Sequence, residues 1–171
     1  MLERTYDTQV CSIARALEIV GERWTLLILR DTAFRARRFD DLQRSLGLAR
    51  NVLTERLQRL CDEGLLERKL YQERPARYEY VQTQKARDLF PVLAGLIRWG
   101  DKYYAPNGPP RLILHRGCGG AIVQKSFCAT CGAEVTANEA ESQPGPGAWK
   151  AAADSNTTPG HDQGQKTAGT S

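Results

Sequence analysis

The chain has 171 residues, a net charge of +4, five cysteines and an ordinary share of apolar residues. That is enough for one packed domain with an appendage, and no run approaches the roughly 18 consecutive apolar residues of a membrane span. The opening MLERTYDTQV lacks an apolar export-signal core, so a cytoplasmic chain is expected, whose cysteines serve as metal ligands, thiols or core filler before disulfides.

The charge is unevenly spread. Residues 1–34 carry four basic and five acidic groups, residues 35–77 eleven and seven, residues 78–104 four and three, and residues 105–171 five of each. The central excess suits a polyanionic partner or a plain solvated surface.

Ser12 is expected to cap a first helix with Ile13, Ala16, Leu17 and Val20 at helical spacing, interrupted by Gly21. A second helix runs from Glu22 to about Phe34, with Trp24, Leu26, Leu27, Ile28 and Leu29 forming a broad apolar face. The basic break Arg35-Ala36-Arg37-Arg38 follows, then a short third helix from Phe39 to Leu46, ended by Gly47. Leu48 opens a fourth helix to about Glu63. Its stripe is Val52, Leu53, Leu57, Leu60 and Cys61, and its polar face carries Arg50, Asn51, Thr54, Glu55, Gln58 and Arg59. Gly64 suits a left-handed cap.

The runs LLERKLY and RYEYVQ read as the strands of a β-hairpin, with QERPA at a basic tip that holds Pro75. Thr83 caps a long helix toward Tyr104, which Pro91 should kink or restart. Leu89, Leu93, Leu96, Ile97, Gly100 and Tyr103 line one side of it, widened by Phe90, Val92, Trp99 and Tyr104. That stripe exceeds what a small core needs. The surplus is either a dimer surface or a seat for the N-terminal helix of the same chain.

These elements place a mainly α domain with a small β-hairpin in residues 1–106, followed by a Gly/Pro linker at 107–110. A compact Cys/His segment occupies 111–136, and a disordered tail 137–171. From Asn138 onward there is no Ile, Leu, Val, Phe or Tyr, which leaves too little apolar surface to offset ordering entropy.

Short helices followed by a hairpin make a winged helix-turn-helix. The major groove of DNA admits one helix, and its base edges offer partners to Arg and Asn. Arg50, Asn51 and Thr54 lie near the N-terminal end of the fourth helix, the end that enters the groove, with Arg59 farther along. Arg74 and Arg77 at the hairpin tip are placed for the minor groove or its phosphates, and Arg37 and Arg38 for the backbone. The same topology also serves as a protein-interaction module, and the residues alone leave both readings open. No Ser/His/Asp set, phosphate loop or paired acid–base site argues for an enzyme, and His161 stands alone in the tail.

The stretches VGERWTLLILR, RRFDDLQRSLGLARNVLTERLQRLCDEGLLER, RPARYEYVQT and LFPVLAGLIRWGD together resemble the HxlR-type branch of winged-helix transcriptional regulators, relatives of the MarR group. The resemblance spans Cys11 to Tyr104. It implies a homodimer with two wings and two recognition helices on pseudo-palindromic promoter sites. Two departures affect only helix entries: Cys11-Ser12 stands where the family often has Cys-Pro, and Gln82-Thr83 with Ala86 where it has Leu-Thr and a Gly. Some relatives carry a redox- or electrophile-sensing cysteine at the position matching Cys11. A helix N-terminus there would lower its pKa; the alternative is a small side chain filling a dimer seam. A small-molecule effector, as in MarR-type relatives, has no specifying residue here.

Within HRGCGGAIVQKSFCATCG, His115-x-x-Cys118 and Cys128-x-x-Cys131 form two ligand pairs, each followed by glycine, Gly119 and Gly132. Structural zinc takes four nitrogen or sulfur ligands in a tetrahedron. A segment this small has no hydrophobic core to fold on, so a zinc-ribbon-like staple is expected. The alternatives are an unordered segment and a Cys128–Cys131 redox pair.

Overall fold

The computed structural model describes Tyr6, residues 11–34 and residues 36–148. Six α-helices and one two-stranded sheet are present among the described residues: α1 Ser12–Val20, α2 Thr25–Phe34, α3 Phe39–Leu46, α4 Arg50–Asp62, β1 Leu66–Gln72, β2 Arg77–Gln82, α5 Gln84–Arg87 and α6 Phe90–Tyr104. The expected mainly α winged helix-turn-helix is what folds.

Several boundaries move for physical reasons. Cys11, not Ser12, is the N-cap of α1, and it makes no side-chain cap; Ser12 is the first helical residue. The second helix begins three residues later than expected, at Thr25, because Glu22–Trp24 form a turn closed by Thr25 N–H donating to the Glu22 carbonyl (3.1 Å). α4 begins at Arg50 instead of Leu48. Leu48 is buried and anchors the turn instead. Gly47 closes α3 at φ 64°, in the left-handed region that side chains with a Cβ avoid. The long helix after Thr83 is two helices. Thr83 caps α5 by accepting from Ala86 N–H, and α6 restarts with Pro91 in its first turn, where the missing N–H costs nothing.

The core forms where α2, α3, α4 and the base of the hairpin meet. Ile28, Leu29, Leu42, Leu53 and Leu57 are fully buried, with Leu60, Leu65 and Leu66 nearly so. Polar ties fix the layers. Asp31 of α2 is fully buried and accepts from Ser45 Oγ of α3 at 2.5 Å and from Arg30 Nε at 2.8 Å. Gln82 Nε2, at the end of β2, donates to the Leu29 carbonyl at 2.7 Å.

β1 and β2 pair antiparallel from Leu66↔Gln82 to Leu70↔Tyr78, with an irregularity before Gln72↔Arg77. The free edge of β2 is met by the segment before α3: Tyr80 N–H donates to the Arg37 carbonyl (2.7 Å), and Arg38 bridges Glu79. Residues expected to form a basic break thus act as a third strand position.

The α6 surplus is not covered by α1 of the same chain. Val92, Leu96, Trp99, Tyr103 and Tyr104 are exposed, and so are Ile13 and Leu17 on α1. Past the linker, Leu114 bridges Ala121 and Phe127 bridges Glu134, making two small hairpins. The expected tail does not begin unstructured at 137: Ala137–Glu139 form a 3₁₀ turn, closed by a capping box between Thr136 and Glu139. The remainder of that tail from 149 on, with Trp149 and His161, lies outside the described residues.

Candidate nucleic-acid interface

The polar face of α4 is a continuous exposed surface. Arg50, Asn51, Thr54, Glu55 and Gln58 all reach solvent, one turn apart along thirteen residues of helix. This follows from the period: the buried positions Leu53, Leu57 and Leu60 leave the opposite face outward. The N-cap Ala49 has no side-chain hydrogen bond to offer, and the first amide bonded within the helix is Leu53 N–H, to the Ala49 carbonyl. The amides of the first turn are left to an outside acceptor.

Arg50 is pre-positioned at that end. Its guanidinium lies over the Phe39 ring (4.6 Å to the centroid) and 3.9 Å from an Asp40 carboxylate oxygen. Thr54 Oγ1 donates to the Arg50 carbonyl at 2.8 Å, which occupies its hydrogen but leaves its oxygen free to accept.

Beside α4 lies a cleft of about 480 Å³ between the starts of α3 and α4 and the wing, where Arg38, Arg44, Arg50, Arg68 and Arg77 gather with Asp40 and Asp41. Besides Arg50, two more of these guanidinium groups lie over aromatic rings, Arg38 over Tyr71 (4.3 Å to the centroid) and Arg68 over Tyr78 (4.2 Å). Stacking fixes an arginine without consuming its donors. Arg44 and Arg68 were not singled out from sequence. Arg44 lies on α3 and pairs with Asp41; Arg68 lies on β1 opposite Tyr80 of β2, a neighbourhood that exists only once the strands pair. Arg37 is exposed and lines a separate groove with Phe34, Gln82 and Phe90, and Arg74 is exposed in the loop between β1 and β2.

Arg59 borders the same surface as Arg50 and Asn51 and is tied to α1. It donates to the Glu18 carbonyl at 2.6 Å and lies 3.6 Å from Glu22, while Arg56 pairs with Glu22 at 2.9 Å. Together they clamp the C-terminal end of α1 onto α4, and cations favour a helix C-terminus.

Cys11 is exposed at the head of α1. The Ala14 and Ile13 backbone amides of the first turn of α1 lower its thiol pKa from the usual value. Cys61, half-buried, is shifted the other way by burial.

The Cys/His segment forms two separate pairs. His115 Nδ1 lies 3.3 Å from Cys118 Sγ. Hydrogen bonds from the Cys131 and Thr130 amides, and from the Cys131 side chain, lower the Cys128 thiol pKa. The two pairs are not gathered into one ligand set: no three His, Cys, Asp or Glu side chains converge among the described residues. The tertiary arrangement of the two hairpins differs in this from the expected single cluster.

Comparison with known proteins follows the same outline. The HxlR-like helix-turn-helix family matches residues 19–108. An uncharacterized HTH-type transcriptional regulator of Mycobacterium tuberculosis is 47% identical over 137 residues, covering 80% of this chain and 87% of its own. A match of that length runs past the end of the family's region into the Cys/His segment. The crystal structure of PA1607, a proposed transcription factor, superposes with a TM-score of 0.72 at 32% identity, covering 81% of this chain and 97% of its own. The redox regulator HypR in its oxidized form gives a TM-score of 0.50 at 25% identity, over 54% of this chain and 96% of its own. Among the described residues no helix is long and apolar enough to cross a membrane.

Proposed function

The chain belongs to the HxlR-like helix-turn-helix family of transcriptional regulators, and from that premise we propose that it binds promoter DNA as a homodimer. In this reading α4 lies in the major groove, the wing rests on the flanking backbone, and the protein works in the cytoplasm where its DNA is. The carrying observation is the continuity of two surfaces. The exposed face of Arg50, Asn51 and Thr54 runs directly into the arginine-lined cleft, through Arg50 itself. One surface suits base edges and the other suits phosphate. The exposed Arg74 and Arg77 extend the phosphate-facing side along the wing, and Arg37 offers a further exposed cation next to Arg38. The clamp that holds Arg59 makes it a strut for α4 in place of a DNA contact.

A second copy of the chain covers the apolar face of α6 and α1. Trp99 is 54% exposed, Tyr104 71% and Ile13 70%, more apolar surface than a monomer normally leaves open. A twofold dimer of this kind meets two half-sites about one helical turn apart, hence pseudo-palindromic sequences. A protein-interaction module is the competing reading, and it gives no role to the uncapped, arginine-flanked start of α4.

The test is anisotropy titration of the full chain on the duplex upstream of its own reading frame. Binding should weaken steeply with salt. Arg50→Ala or Asn51→Ala should relax sequence preference by about 1–3 kcal/mol at one position. Binding without salt dependence or sequence preference refutes the reading.

The exposed, amide-stabilised thiol of Cys11 supports regulation by oxidants, and the likeness to oxidized HypR agrees with it. Diamide should release the wild type from DNA and spare Cys11→Ser; equal responses remove this part of the proposal.

A further inference from the structure

The two Cys/His turns are copies of one another. His115 N–H donates to the Gly120 carbonyl (2.8 Å) and its carbonyl accepts from Gly119 N–H (2.8 Å); Cys128 N–H donates to Ala133 (2.9 Å) and its carbonyl accepts from Gly132 N–H (2.9 Å). Gly119 and Gly132 have φ of 70° and 72°. The bonds behind each turn, Ile122 N–H to Ile113 and Val135 N–H to Ser126, repeat as well. Every position shifts by 13 residues, His115 onto Cys128 and Cys118 onto Cys131. Each turn therefore offers two donors from the same two places on the same backbone.

From this repeat we propose that residues 111–136 bind one structural zinc ion per chain through His115, Cys118, Cys128 and Cys131. In this proposal one centre takes a donor pair from each turn, which brings together two pairs that the structure holds apart. Three observations carry the inference. First, tetrahedral arms of about 2.3 Å to sulfur and about 2.0 Å to nitrogen put neighbouring donors about 3.5 Å apart, and His115 Nδ1 to Cys118 Sγ is 3.3 Å. Second, Gly117 lets the His115 ring lie close against the turn: a Cβ there would come within 2.9 Å of the ring carbon Cε1. Third, no residue of 111–136 is buried, so no core holds the segment, and a metal supplies the missing cross-link.

Closure is within reach of the chain. Only residues 123–125 separate the hairpin ending at Ile122 from the one beginning at Ser126. At about 3.3–3.6 Å per residue that connection keeps the two hairpins neighbours, and its length is that of a loop that reverses the chain. It is also tethered: Arg98 of α6 donates to the Gln124 carbonyl at 3.0 Å, and Gly95 leaves room for the Gln124 side chain. On binding, three thiols give up their protons and the ion gives up its waters. With four protein ligands no position stays open, so the site is a staple and not a catalyst.

The test uses the full chain expressed with added zinc and purified without chelator. Elemental analysis should give about one zinc per chain, and exchange for cobalt(II) should give the visible bands of a tetrahedral ion with thiolate charge transfer. Competition with a chelator should show Cys128→Ser and His115→Ala weakened by at least ~100-fold, given that even outer partners of metal ligands contribute ~10–100-fold. The double variant Cys11→Ser, Cys61→Ser should keep its metal. Helical circular dichroism of each variant reports whether the winged domain is intact. Less than ~0.2 zinc per chain overturns the proposal. So does half an ion per chain, which would assign the metal to a site between two copies, and so does metal content indifferent to Cys128→Ser. None of these outcomes depends on DNA binding.

Discussion

Ser45 looks like an ordinary exposed helix residue, yet the structure predicts that Ser45→Ala is costly. Its hydroxyl donates at 2.5 Å to the carboxylate of Asp31, which is fully buried. A hydrogen bond to a charged partner contributes about 1.5–3 kcal/mol, and its removal leaves a buried acceptor short of a donor. The remaining donor is Arg30, whose side chain is one-third exposed. Alanine gains back about 0.5 kcal/mol of helix propensity, leaving a net loss of about 1–2.5 kcal/mol. For a domain of this size that corresponds to roughly 4–20 °C in Tm. Urea denaturation at fixed chain concentration measures it, because dimer formation would otherwise shift the midpoint. A double-mutant cycle with Asp31→Ala isolates the pair, and the coupling should be at least ~1.5 kcal/mol. A cost below ~0.5 kcal/mol for Ser45→Ala, the range of an ordinary surface change, would refute the claim that this bond holds α3 on α2.

The two glycines that end helices should respond differently to alanine. At Gly47, with φ of 64° and open space around it, backbone strain alone costs about 1–2 kcal/mol. At Gly21 a Cβ would sit 2.5 Å from the Leu17 carbonyl oxygen, so the end of α1 must move, at about 1–3 kcal/mol and with loosening of the Arg59–Glu18 tie; urea melts and the mobility of α1 report both. Arg38→Ala with Arg77→Ala should lower the slope of log affinity against log salt by up to about two while sparing sequence preference; a changed preference with an unchanged slope contradicts the assignment. The alkylation rate of Cys11 should reach its midpoint at a pH below that of an ordinary thiol, and that of Cys61 above it, both differences vanishing in urea. Because the folded chain favours the Cys11 thiolate, folding gains from this group above the unfolded thiol's pKa and loses that gain as pH falls through the folded value. Cys61 works in the opposite sense: burial favours its thiol, and the contribution falls away as pH rises through the folded pKa.

The order of helices, the hairpin and the reading face were legible because they depend on local rules. A leucine every third or fourth position from Leu53 to Leu60 forces Arg50, Asn51 and Thr54 outward whatever else the chain does. Pro91 could only kink or restart a helix, and the restart is what occurs. Other features join residues far apart in the chain, and no periodicity announces them. Ser45 and Asp31 are fourteen residues apart, and Arg59 and Glu18 forty-one. The period of α4 puts Arg59 at the polar face, where it lines the same open surface as Arg50 and Asn51; only the packing of α1 beside α4 gives its guanidinium the Glu18 carbonyl as a partner. Arg37 and Arg38 looked like a break until β2 offered them an edge.

The Cys/His segment shows both halves of this division. Spacing alone determined two Cys/His turns, each backed by a glycine, since a four-residue turn and its left-handed exit are set by the residues inside it. Whether the two pairs meet is decided by contacts between the hairpins and by what binds them, and those lie outside either turn. The same reason holds for the whole chain. Local sequence determined which elements form and which way their faces point, because backbone sterics and side-chain period act over a few residues. Tertiary structure decided which charged groups serve as struts and which remain free to meet a partner, because pairing over long separations is settled only when the elements pack.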